Sequence, residues 1–329
     1  MNTNQRPQTD TSKTLHHHKN TLNIFNKNEK DLCFQADNLA FPVHIVNSLW
    51  SNPAQITYHH EDTRFIPHKE LQTIINQSIK HLSYSNRYHI RCKNISVKEK
   101  NIEMTTEWVE YAHYIGTNRQ IFTKDSEGKT LKEKLNVDAS INLQSPYLGN
   151  ELAINATFII KEGNNKYILL TQRGKHVNVY PNRFSTSVSG AMGGEEKWLD
   201  FIKEEGNYIP DPVGTTIRET KEELGIDITR ESIKLDALCL QMLDMQLNYL
   251  LTAEINYTRN EILQAWNNSV DKYEIMEPIF VPLDLDTVLP YIVYQEWSPT
   301  AAMSVIITLQ KLFGEEKVIN KLKALSKGE

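Results

Sequence analysis

Three glutamates and one arginine within a six-residue stretch are the side chains of this sequence best suited to chemistry: Glu219, Glu222, Glu223 and Arg218. On a helix, at about 100° per residue, the three carboxylates fall within one narrow sector and repel one another. A divalent cation that prefers hard oxygen ligands, Mg²⁺ or Mn²⁺, would neutralise this face. Arg218 can hold part of the cluster through charge-assisted hydrogen bonds. A glutamate-rich face is also common as solvated surface, and this stays the alternative interpretation.

The ends of this helix are marked in the sequence. Asp211 followed by Pro212 predicts an N-cap and a first helical residue. Gly225 predicts the C-terminal end. The buried stripe is predicted at Val213, Ile217, Thr220 and Leu224. The acidic sector is therefore expected to face a cleft.

The residues from Arg218 to Ile226 resemble the second half of the Nudix box, G-x5-E-x7-R-E-U-x-E-E-x-G-U, in which U is aliphatic. Thr220 stands where an aliphatic residue is usual. The run from Ser187 to Glu196 resembles the strand end and glycine turn that open the box. The positions that match in the second half are Arg218, Glu219, Glu222, Glu223, Gly225 and Ile226.

The first half of the box departs from the pattern. Counting back from Arg218 places Pro210 at the position of the box glutamate, and proline cannot bind metal. About a dozen extra residues, 197 to 209, are predicted as an inserted surface loop, which costs little closure entropy. The missing carboxylate could come from any of four residues: Glu195, Glu196, Glu204 or Glu205.

The resemblance implies a Mg²⁺-dependent or Mn²⁺-dependent hydrolase that cleaves the diphosphate linkage of a nucleoside diphosphate derivative or nucleotide. It implies Glu223 as the chief metal ligand, with Glu219 and Glu222 assisting and Arg218 orienting them. A backbone carbonyl near Gly190 or Gly194 is a further possible ligand. The general base varies within the family, and its candidates here are Glu274 and Glu277.

Substrate contacts are less well marked. Arg173, at the end of a predicted strand, and Lys175 are predicted to pair with phosphate oxygens. Four aromatic residues could stack on a base or belong to the core: Tyr180, Phe184, Trp198 and Trp297. These patterns do not show whether the substrate is a nucleotide, a dinucleotide, a sugar nucleotide or a non-nucleotide diphosphate.

The elements around the motif predict an α/β fold, a Nudix-like α/β/α sandwich with a mixed sheet, preceded by a small α+β domain. Apolar, branched runs at 153–160 and 166–173 flank a turn and predict a hairpin. Later strands are predicted at 235–243, 247–255 and 278–284, and a final helix at 298–313. The expected division is a poorly ordered tail at 1–35, an N-terminal α+β domain at 36–148 and the Nudix-like domain at 149–329.

The N-terminal α+β domain carries no motif with chemistry. Its apolar spacing predicts a helix at 67–82 and a short helix at 131–135, and its alternating runs predict strands at 88–97 and 102–115. Residues 41–50 are expected to form a strand or a buried turn. Dimer contact, covering of the cleft and substrate selection are its expected roles.

Composition limits the class of protein. The net charge is −5 and the pI about 6.1, which argues against a broadly basic nucleic-acid-binding surface. No apolar run of about 18 residues predicts a membrane span, and the polar N-terminus lacks a secretion signal. Three widely spaced cysteines predict free thiols in a reducing cytoplasm. The expected partner is a small nucleotide or diphosphate; a homodimer is compatible with the sequence.

Two rival interpretations use the same residues. In one, the altered box holds a nucleotide without cleaving it, and the N-terminal domain transmits occupancy to a partner, as in a sensor module. In the other, the fold performs isopentenyl diphosphate isomerisation, which needs a cysteine near the glycine turn. Here Ser187 and Ser189 occupy that neighbourhood and Cys239 lies far along the chain.

Overall fold

The computed structural model describes residues 21–52, 54–79, 87–194, 200–204 and 207–328. The strands are β1 (Phe34–Ala36), β2 (Leu39–Phe41), β3 (Val43–Asn47), β4 (Gln55–Arg64), β5 (Tyr88–Lys98), β6 (Asn101–Glu110), β7 (Leu152–Glu162), β8 (Asn165–Arg173), β9 (Phe184–Ser185), β10 (Val188–Ala191), β11 (Gly193–Gly194), β12 (Phe201–Glu204), β13 (Asn207–Pro210), β14 (Ile233–Gln241), β15 (Gln246–Ile255) and β16 (Ile275–Pro282). The α-helices are α1 (Lys27–Leu32), α2 (Gln72–Ile79), α3 (Tyr111–Gly116), α4 (Leu131–Lys134), α5 (Pro212–Glu219), α6 (Arg259–Asn267), α7 (Leu285–Tyr294), α8 (Pro299–Phe313) and α9 (Glu315–Lys327).

A mixed sheet forms the centre of the molecule, with the strand order β16-β8-β7-β15-β14-β3. The central pair β7 and β15 is parallel, whereas the other neighbours along this order are antiparallel. The first nine residues of β7 are all buried, which explains their nearly unbroken apolar sequence. Short strands β10 and β9 pair with β7 and β8.

Helices cover both faces of this sheet. On one face α8 packs against β7, β15 and β14, and α9 packs on α8, so residues 299–310 are buried all round. On the other face α5 packs against β10 and β7. The predicted α/β/α sandwich with a mixed sheet is confirmed. The hairpin of β7 and β8, the strands β14 and β15, and the helix α8 lie where the sequence predicts them, but α8 is not the final helix, because α9 follows it after Gly314.

The N-terminal part and the sandwich exchange strands. The N-terminal strand β3 is the edge strand of the central sheet, antiparallel to β14. In return, β11, which belongs to the glycine turn of the box, pairs with β5 in the N-terminal sheet β11-β5-β6-β4. Buried residues of both parts form one continuous core. The domain boundary expected at residue 148 stays a prediction. The strands β3 and β11 each pair with a strand from the other side of this boundary.

Two predictions for the N-terminal part need correction. The strand expected at 102–115 ends at Glu110, and α3 follows it. The tail expected at 1–35 includes an ordered helix, α1, because Asn26 and Glu29 form a capping box and the fully buried Glu29 pairs with Lys132 at 2.8 Å. Residues 1–20, with their three histidines, and residues 80–82 of the predicted helix lie outside the described residues. Within the described ranges, no helix has the length and apolar character needed to cross a bilayer.

Candidate functional site

The acidic helix has the predicted ends but not a uniform interior. It begins at Pro212 and ends before Gly225, whose φ of 72° lies in the left-handed region. After Glu219 the helix continues as one π-helical turn, residues 220–224, a distortion often found at functional sites. Asp211 does not cap the helix with its side chain, contrary to the prediction. Its carboxylate is instead held by Arg230 at 2.6 and 2.8 Å.

The predicted acidic residues do lie on one side of this helix, at different depths. Glu223 is 3% exposed. The Glu219 side chain is 13% exposed and that of Glu222 is 34% exposed. Glu274, one of the two candidate bases, also lines the cleft beside Glu219, whereas Glu277 is exposed on β16. The cluster is therefore partly buried rather than a solvated face.

Gly190 brings the backbone of β10 against this cluster. A Cβ atom added at Gly190 would lie 2.2 Å from both Cδ and Oε1 of Glu219, so only glycine leaves room for this carboxylate. The backbone N–H of Ser189, the neighbouring residue, donates a hydrogen bond to Glu223. The end of β10 and the acidic helix therefore form the two sides of one site.

Arg218 connects the helix to the glycine turn. Its Nε and Nη2 atoms donate to the two carboxylate oxygens of Asp200 at 3.0 and 2.8 Å. Nη2 also donates to the carbonyl oxygens of Ala191 and Gly193, at 3.3 and 3.1 Å. Its Nη1 atom lies 2.9 Å from carboxylate oxygens of Glu219 and Glu222. The orienting role predicted for Arg218 is compatible with these contacts.

Asp200 is a carboxylate of this site that the box pattern did not predict. It is 1% exposed and also accepts a hydrogen bond from the Gly193 N–H at 2.7 Å. It stands six positions after Gly194, the spacing that the box pattern gives to its glutamate. Of the four glutamates considered for this position, Glu204 is exposed on β12, and Glu195, Glu196 and Glu205 lie outside the described residues. Counting forward from the glycine turn and allowing aspartate would have found Asp200.

The insertion follows Asp200 rather than preceding it. It contains the paired strands β12 and β13, in which Phe201 pairs with Pro210 and Glu204 with Asn207. The Asp211 N–H donates to the Asp200 carbonyl oxygen at 2.9 Å, so the hairpin closes on itself at its base. Without residues 201–210, seven residues separate Asp200 from Arg218, as the box pattern requires. Pro210 therefore belongs to the insertion.

The electrostatics of the cleft favour binding of positive charge. The pKa of Glu219 is raised to about 8, chiefly by burial; the charge of Arg218 opposes the shift, and those of Glu222 and Glu274 add to it. The pKa of Glu223 is raised well above its ordinary value by burial and by the charges of Glu274 and Glu219. Burial also raises the pKa of Glu274, although Arg173 opposes the shift. Burial thus raises the pKa of all three carboxyl groups against the opposing charges of Arg218 and Arg173.

The donor set fits Mg²⁺ or Mn²⁺, because it consists of carboxylate oxygens with backbone carbonyls nearby. Within the described ranges, however, no three Asp, Glu, His or Cys side chains stand close enough together to hold an ion as they are. Arg218 holds Glu219 and Glu222 towards itself. An ion would therefore require these two carboxylates to turn from the guanidinium.

The cleft beside the cluster has two lobes. The first, about 160 Å³, is lined by Arg218, Glu219 and Glu222. The second, about 170 Å³, extends over the sheet towards Asn155. Both lobes share wall residues, among them Arg173, Gly190, Glu274 and Tyr111. Arg87, His89 and Tyr111 come from the N-terminal part, where no sequence motif indicated a role in the site.

The predicted substrate contacts separate into residues inside and outside the cleft. Arg173 lines both lobes and is fixed by hydrogen bonds to the Ser189 hydroxyl and the Val179 carbonyl, each 2.9 Å long. Lys175 is exposed and is not among the residues that line the lobes. Tyr180 lines the second lobe. Phe184 and Trp297 contact each other, with ring centres 5.7 Å apart, and Trp198 lies outside the described residues.

The cysteine needed for the isomerase interpretation is not among the residues lining the described cleft. Cys239 is fully buried in β14, within the core on the helix α8 side. Burial raises the pKa of its thiol far above the ordinary value, so it is held as an unreactive thiol. The structure gives no support to isomerisation through this residue.

No protein-family model matches the chain, and no curated protein sequence matches it. Several solved structures resemble part of it. A NUDIX hydrolase from Alicyclobacillus acidocaldarius is 10% identical over 52% of this chain and 95% of that chain, with a TM-score of 0.35. A MutT/nudix family protein from Enterococcus faecalis is 14% identical over 60% and 73%, with a TM-score of 0.32. The NUDIX domain of Shewanella oneidensis NrtR, complexed with ADP ribose, is 11% identical over 56% and 99%, with a TM-score of 0.31. At these identities the likeness is one of fold alone.

Proposed function

We propose that this protein hydrolyses the diphosphate linkage of a nucleoside diphosphate derivative or nucleotide with the help of Mg²⁺ or Mn²⁺. The observation that carries the proposal is the cleft lined by Glu219, Glu222 and Glu274, beside which the buried Glu223 accepts a hydrogen bond from the Ser189 N–H. Such a group of acids is costly to the fold unless a ligand neutralises it. A dication bridging to a diphosphate would do so.

The residues take distinct roles in this proposal. Glu223, Glu219 and Glu222 would hold the ion, which when bound would neutralise the non-bridging oxygens and lower the pKa of the attacking water. Arg218, anchored by Asp200, fixes the helix against the glycine turn. Arg173 lies in both lobes, where its guanidinium can bind a phosphate oxygen. Lys175 is exposed, and from the rim it can attract an anionic substrate only weakly.

Glu274 is the better placed of the two candidate bases. It lines both lobes, whereas Glu277 is exposed on β16. Its raised pKa brings it nearer the neutral range in which a general base works efficiently. We therefore assign proton acceptance from the attacking water to Glu274.

One observation favours the alternative of a nucleotide-binding sensor with weak or no turnover. Arg218 holds Glu219 and Glu222 in ion pairs, each 2.9 Å long. If these pairs persisted with nucleotide bound, the cleft could hold the nucleotide without gathering its metal ligands. Three buried cysteines that are free thiols suit a reducing cytoplasm in either case.

Turnover assays separate hydrolase from sensor. Release of nucleoside monophosphate or phosphate from a panel of nucleotides is measured with Mg²⁺ for the wild type, Glu223→Gln and Glu277→Gln. Hydrolysis requires turnover by the wild type and by the Glu277→Gln control, with a loss of roughly 100-fold or more in Glu223→Gln. Tight nucleotide binding without turnover of any substrate would establish the sensor instead.

A further inference from the structure

Strand β5 of the N-terminal part brings a histidine, His89, into the first lobe of the cleft. We infer that His89 is a catalytic residue of the proposed hydrolysis, whose imidazolium donates a hydrogen bond from Nε2 to a phosphate oxygen in this lobe. Glu151 is the positioning residue that holds the ring through Nδ1. This inference rests on the proposed function, since the diphosphate is the group that His89 contacts.

The glycine turn brings β5 against the site. β11 pairs with β5, so that Gly193 lies opposite His89 and Gly194 lies opposite Tyr88. Gly193 has a φ of 121°, and a Cβ atom added there would lie 2.7 Å from the His89 Cα atom. Only glycine therefore allows the two chains to approach so closely. The glycine turn that faces the acidic helix thus also sets the position of His89.

A buried carboxylate fixes the His89 ring. His89 Nδ1 lies 2.5 Å from Glu151 Oε2, and the Gln246 amide donates to Glu151 Oε1 at 2.8 Å. The side chain of Glu151 is 3% exposed and that of His89 is 11% exposed. The backbone of Glu151 is also held, because it forms an antiparallel bridge with Arg91, two residues after His89. The ring is therefore held in one orientation with its Nδ1 atom occupied.

The occupied Nδ1 atom leaves Nε2 for a ligand in the lobe. A fully protonated imidazole donates hydrogen bonds from both ring nitrogens. With Glu151 at Nδ1 and a phosphate oxygen at Nε2, the positive charge of His89 lies between two anions. Hydrogen bonds between charged partners are the short and strong ones. A carboxylate behind the imidazole is also how catalytic triads hold their histidine in position.

The two parts of the chain bring opposite charges to the first lobe. The sandwich supplies acids, among them Glu219 and Glu274, and the N-terminal part supplies Arg87 and His89. Burial raises the pKa of Glu274, and the charge of Arg87 is among those that oppose the rise, so these two side chains are near each other. In phosphoryl transfer, catalysis consists largely of positioning and of neutralising charge on the phosphate oxygens. Cations from the N-terminal part would add to the neutralisation that a metal ion supplies at the acids.

The pair of His89 and Glu151 also joins the N-terminal part to the central sheet. As a structural link alone, it would affect turnover only through the stability of the fold. As a catalytic group, the imidazole touches the substrate, so imidazole from solution can take its place in a variant that lacks it. The two roles therefore predict different results for the same variants.

Rescue of His89→Ala by imidazole is the test. Turnover of ATP, UTP, ADP-ribose and UDP-glucose is measured with Mg²⁺, with and without added imidazole. We expect kcat/KM of His89→Ala to be roughly 100-fold below the wild type, the usual loss for one donor to the transition state. Imidazole should restore roughly tenfold of this loss without raising Tm, and not all of it, because the free molecule is not oriented. Glu151→Gln should lower kcat/KM without any response to imidazole, since its ring is still present.

His113→Ala is the matched control. His113 lies in α3 of the N-terminal part and packs on Phe65, with ring centres 5.9 Å apart. It is not among the described residues that line either lobe. This variant should lower Tm, keep the kcat/KM of the wild type and show no response to imidazole.

His89→Gln covers the case in which His89→Ala does not fold. It keeps an N–H donor without the charge, so kcat/KM should fall roughly tenfold with Tm close to that of the wild type. Wild-type turnover in either His89 variant overturns the inference and leaves the proposed hydrolysis intact. A loss of turnover in folded His89→Ala that imidazole does not restore overturns it as well, because the pair is then a structural link.

Binding of methylenediphosphonate decides the inference if no substrate is turned over. This diphosphate analogue has a P–C–P bridge that resists hydrolysis, and it carries neither base nor sugar. It is titrated calorimetrically, with Mg²⁺, into the wild type, His89→Gln and His113→Ala. Affinity that is roughly tenfold weaker in His89→Gln alone supports the phosphate contact even when hydrolysis fails. Equal affinity in all three proteins, or no binding by the wild type, overturns it.

Discussion

The Asp200 carboxylate is bound side-on by the Arg218 guanidinium, through Nε at 3.0 Å and Nη2 at 2.8 Å. These two residues are far enough apart in sequence for a complete hairpin to lie between them, yet they form a planar, two-bond ion pair. The pair fixes the acidic helix against the glycine turn.

Asp200→Asn should destabilise the fold. The Arg218 side chain is 15% exposed and Asp200 is 1% exposed, so the change leaves a largely buried guanidinium short of its partner. We expect a loss of about 3–5 kcal/mol in the free energy of unfolding, measured by urea denaturation. Asp227→Asn, which breaks the exposed pair with Lys221, should cost less than about 1 kcal/mol. Equal stability of Asp200→Asn and the wild type would contradict the structural role given to this pair.

Deletion of residues 201–210 should leave the site intact. The Asp211 N–H already contacts the Asp200 carbonyl, so the chain can be joined there with little movement. Turnover should stay within about tenfold of the wild type, whereas Tm should fall because Phe201 packs on His60 and Trp108, with ring centres 4.6 and 5.4 Å away.

Phe201→Ala, with the hairpin retained, is the companion variant for that deletion. It should reproduce the fall in Tm without loss of turnover. If Phe201→Ala itself abolished turnover, the hairpin would have to act in the site, and its description as an insertion outside the site would be wrong.

Gly190→Ala should impair turnover while the protein still folds. The new Cβ would lie 2.2 Å from the Glu219 carboxyl group, the end of a flexible side chain that can move away. Displacing a metal-binding group by about 1 Å can reduce the rate roughly 100-fold. Gly214→Ala is the matched control. Gly214 lies on the helix that carries Glu219, and its new Cβ would lie 2.3 Å from the Asp211 carboxylate. Equal loss of turnover in both variants would indicate a general disturbance of the helix rather than of the site.

Stability of the metal-free protein should depend on pH through Glu219. Its pKa is about 8 when folded and near the ordinary 4.5 when unfolded, so the folded state binds the proton more tightly. The stabilisation by this proton is complete below pH 4.5 and is lost as pH rises through 8. The slope for one such group is at most about 1.4 kcal/mol per pH unit.

Urea denaturation between pH 5 and 8 in EDTA measures this effect. Glu219→Gln should show a flatter dependence than the wild type, and saturating Mg²⁺ should flatten that of the wild type by binding the ionised carboxylates. Parallel curves for the wild type and Glu219→Gln in EDTA would show that Glu219 does not carry the raised pKa.

Local sequence patterns predicted the parts of the fold that depend on local chemistry. Alternating and branched residues predicted the hairpin of β7 and β8. Pro212 and Gly225 predicted the two ends of the acidic helix. Long-range pairing was not predictable in this way. The strand β3 joins the edge of the central sheet by pairing with β14, which lies about 190 residues further along the chain. No local pattern near Val43 encodes that partner.

In the candidate site, too, only the residues that follow from a local pattern could be predicted. Glu219, Glu222 and Glu223 follow from spacing on one helix, and the structure places them on one side of it. Asp200 was missed because an aspartate replaces the expected glutamate and a hairpin shifts the count from Arg218. The wall residues Tyr111 and Tyr180 become part of the cleft only through tertiary packing, and their local sequences contain no sign of it.

The central claim is that Glu219 and Glu223 hold a divalent cation against a diphosphate in this cleft. Anomalous diffraction from crystals soaked with MnCl₂ and a nucleoside diphosphate derivative tests it most directly. The account predicts a manganese peak between the carboxylates of Glu219 and Glu223 and the diphosphate, with Arg218 still bound to Asp200. A cleft with nucleotide but no manganese peak, in which Arg218 keeps its ion pairs with Glu219 and Glu222, would contradict it.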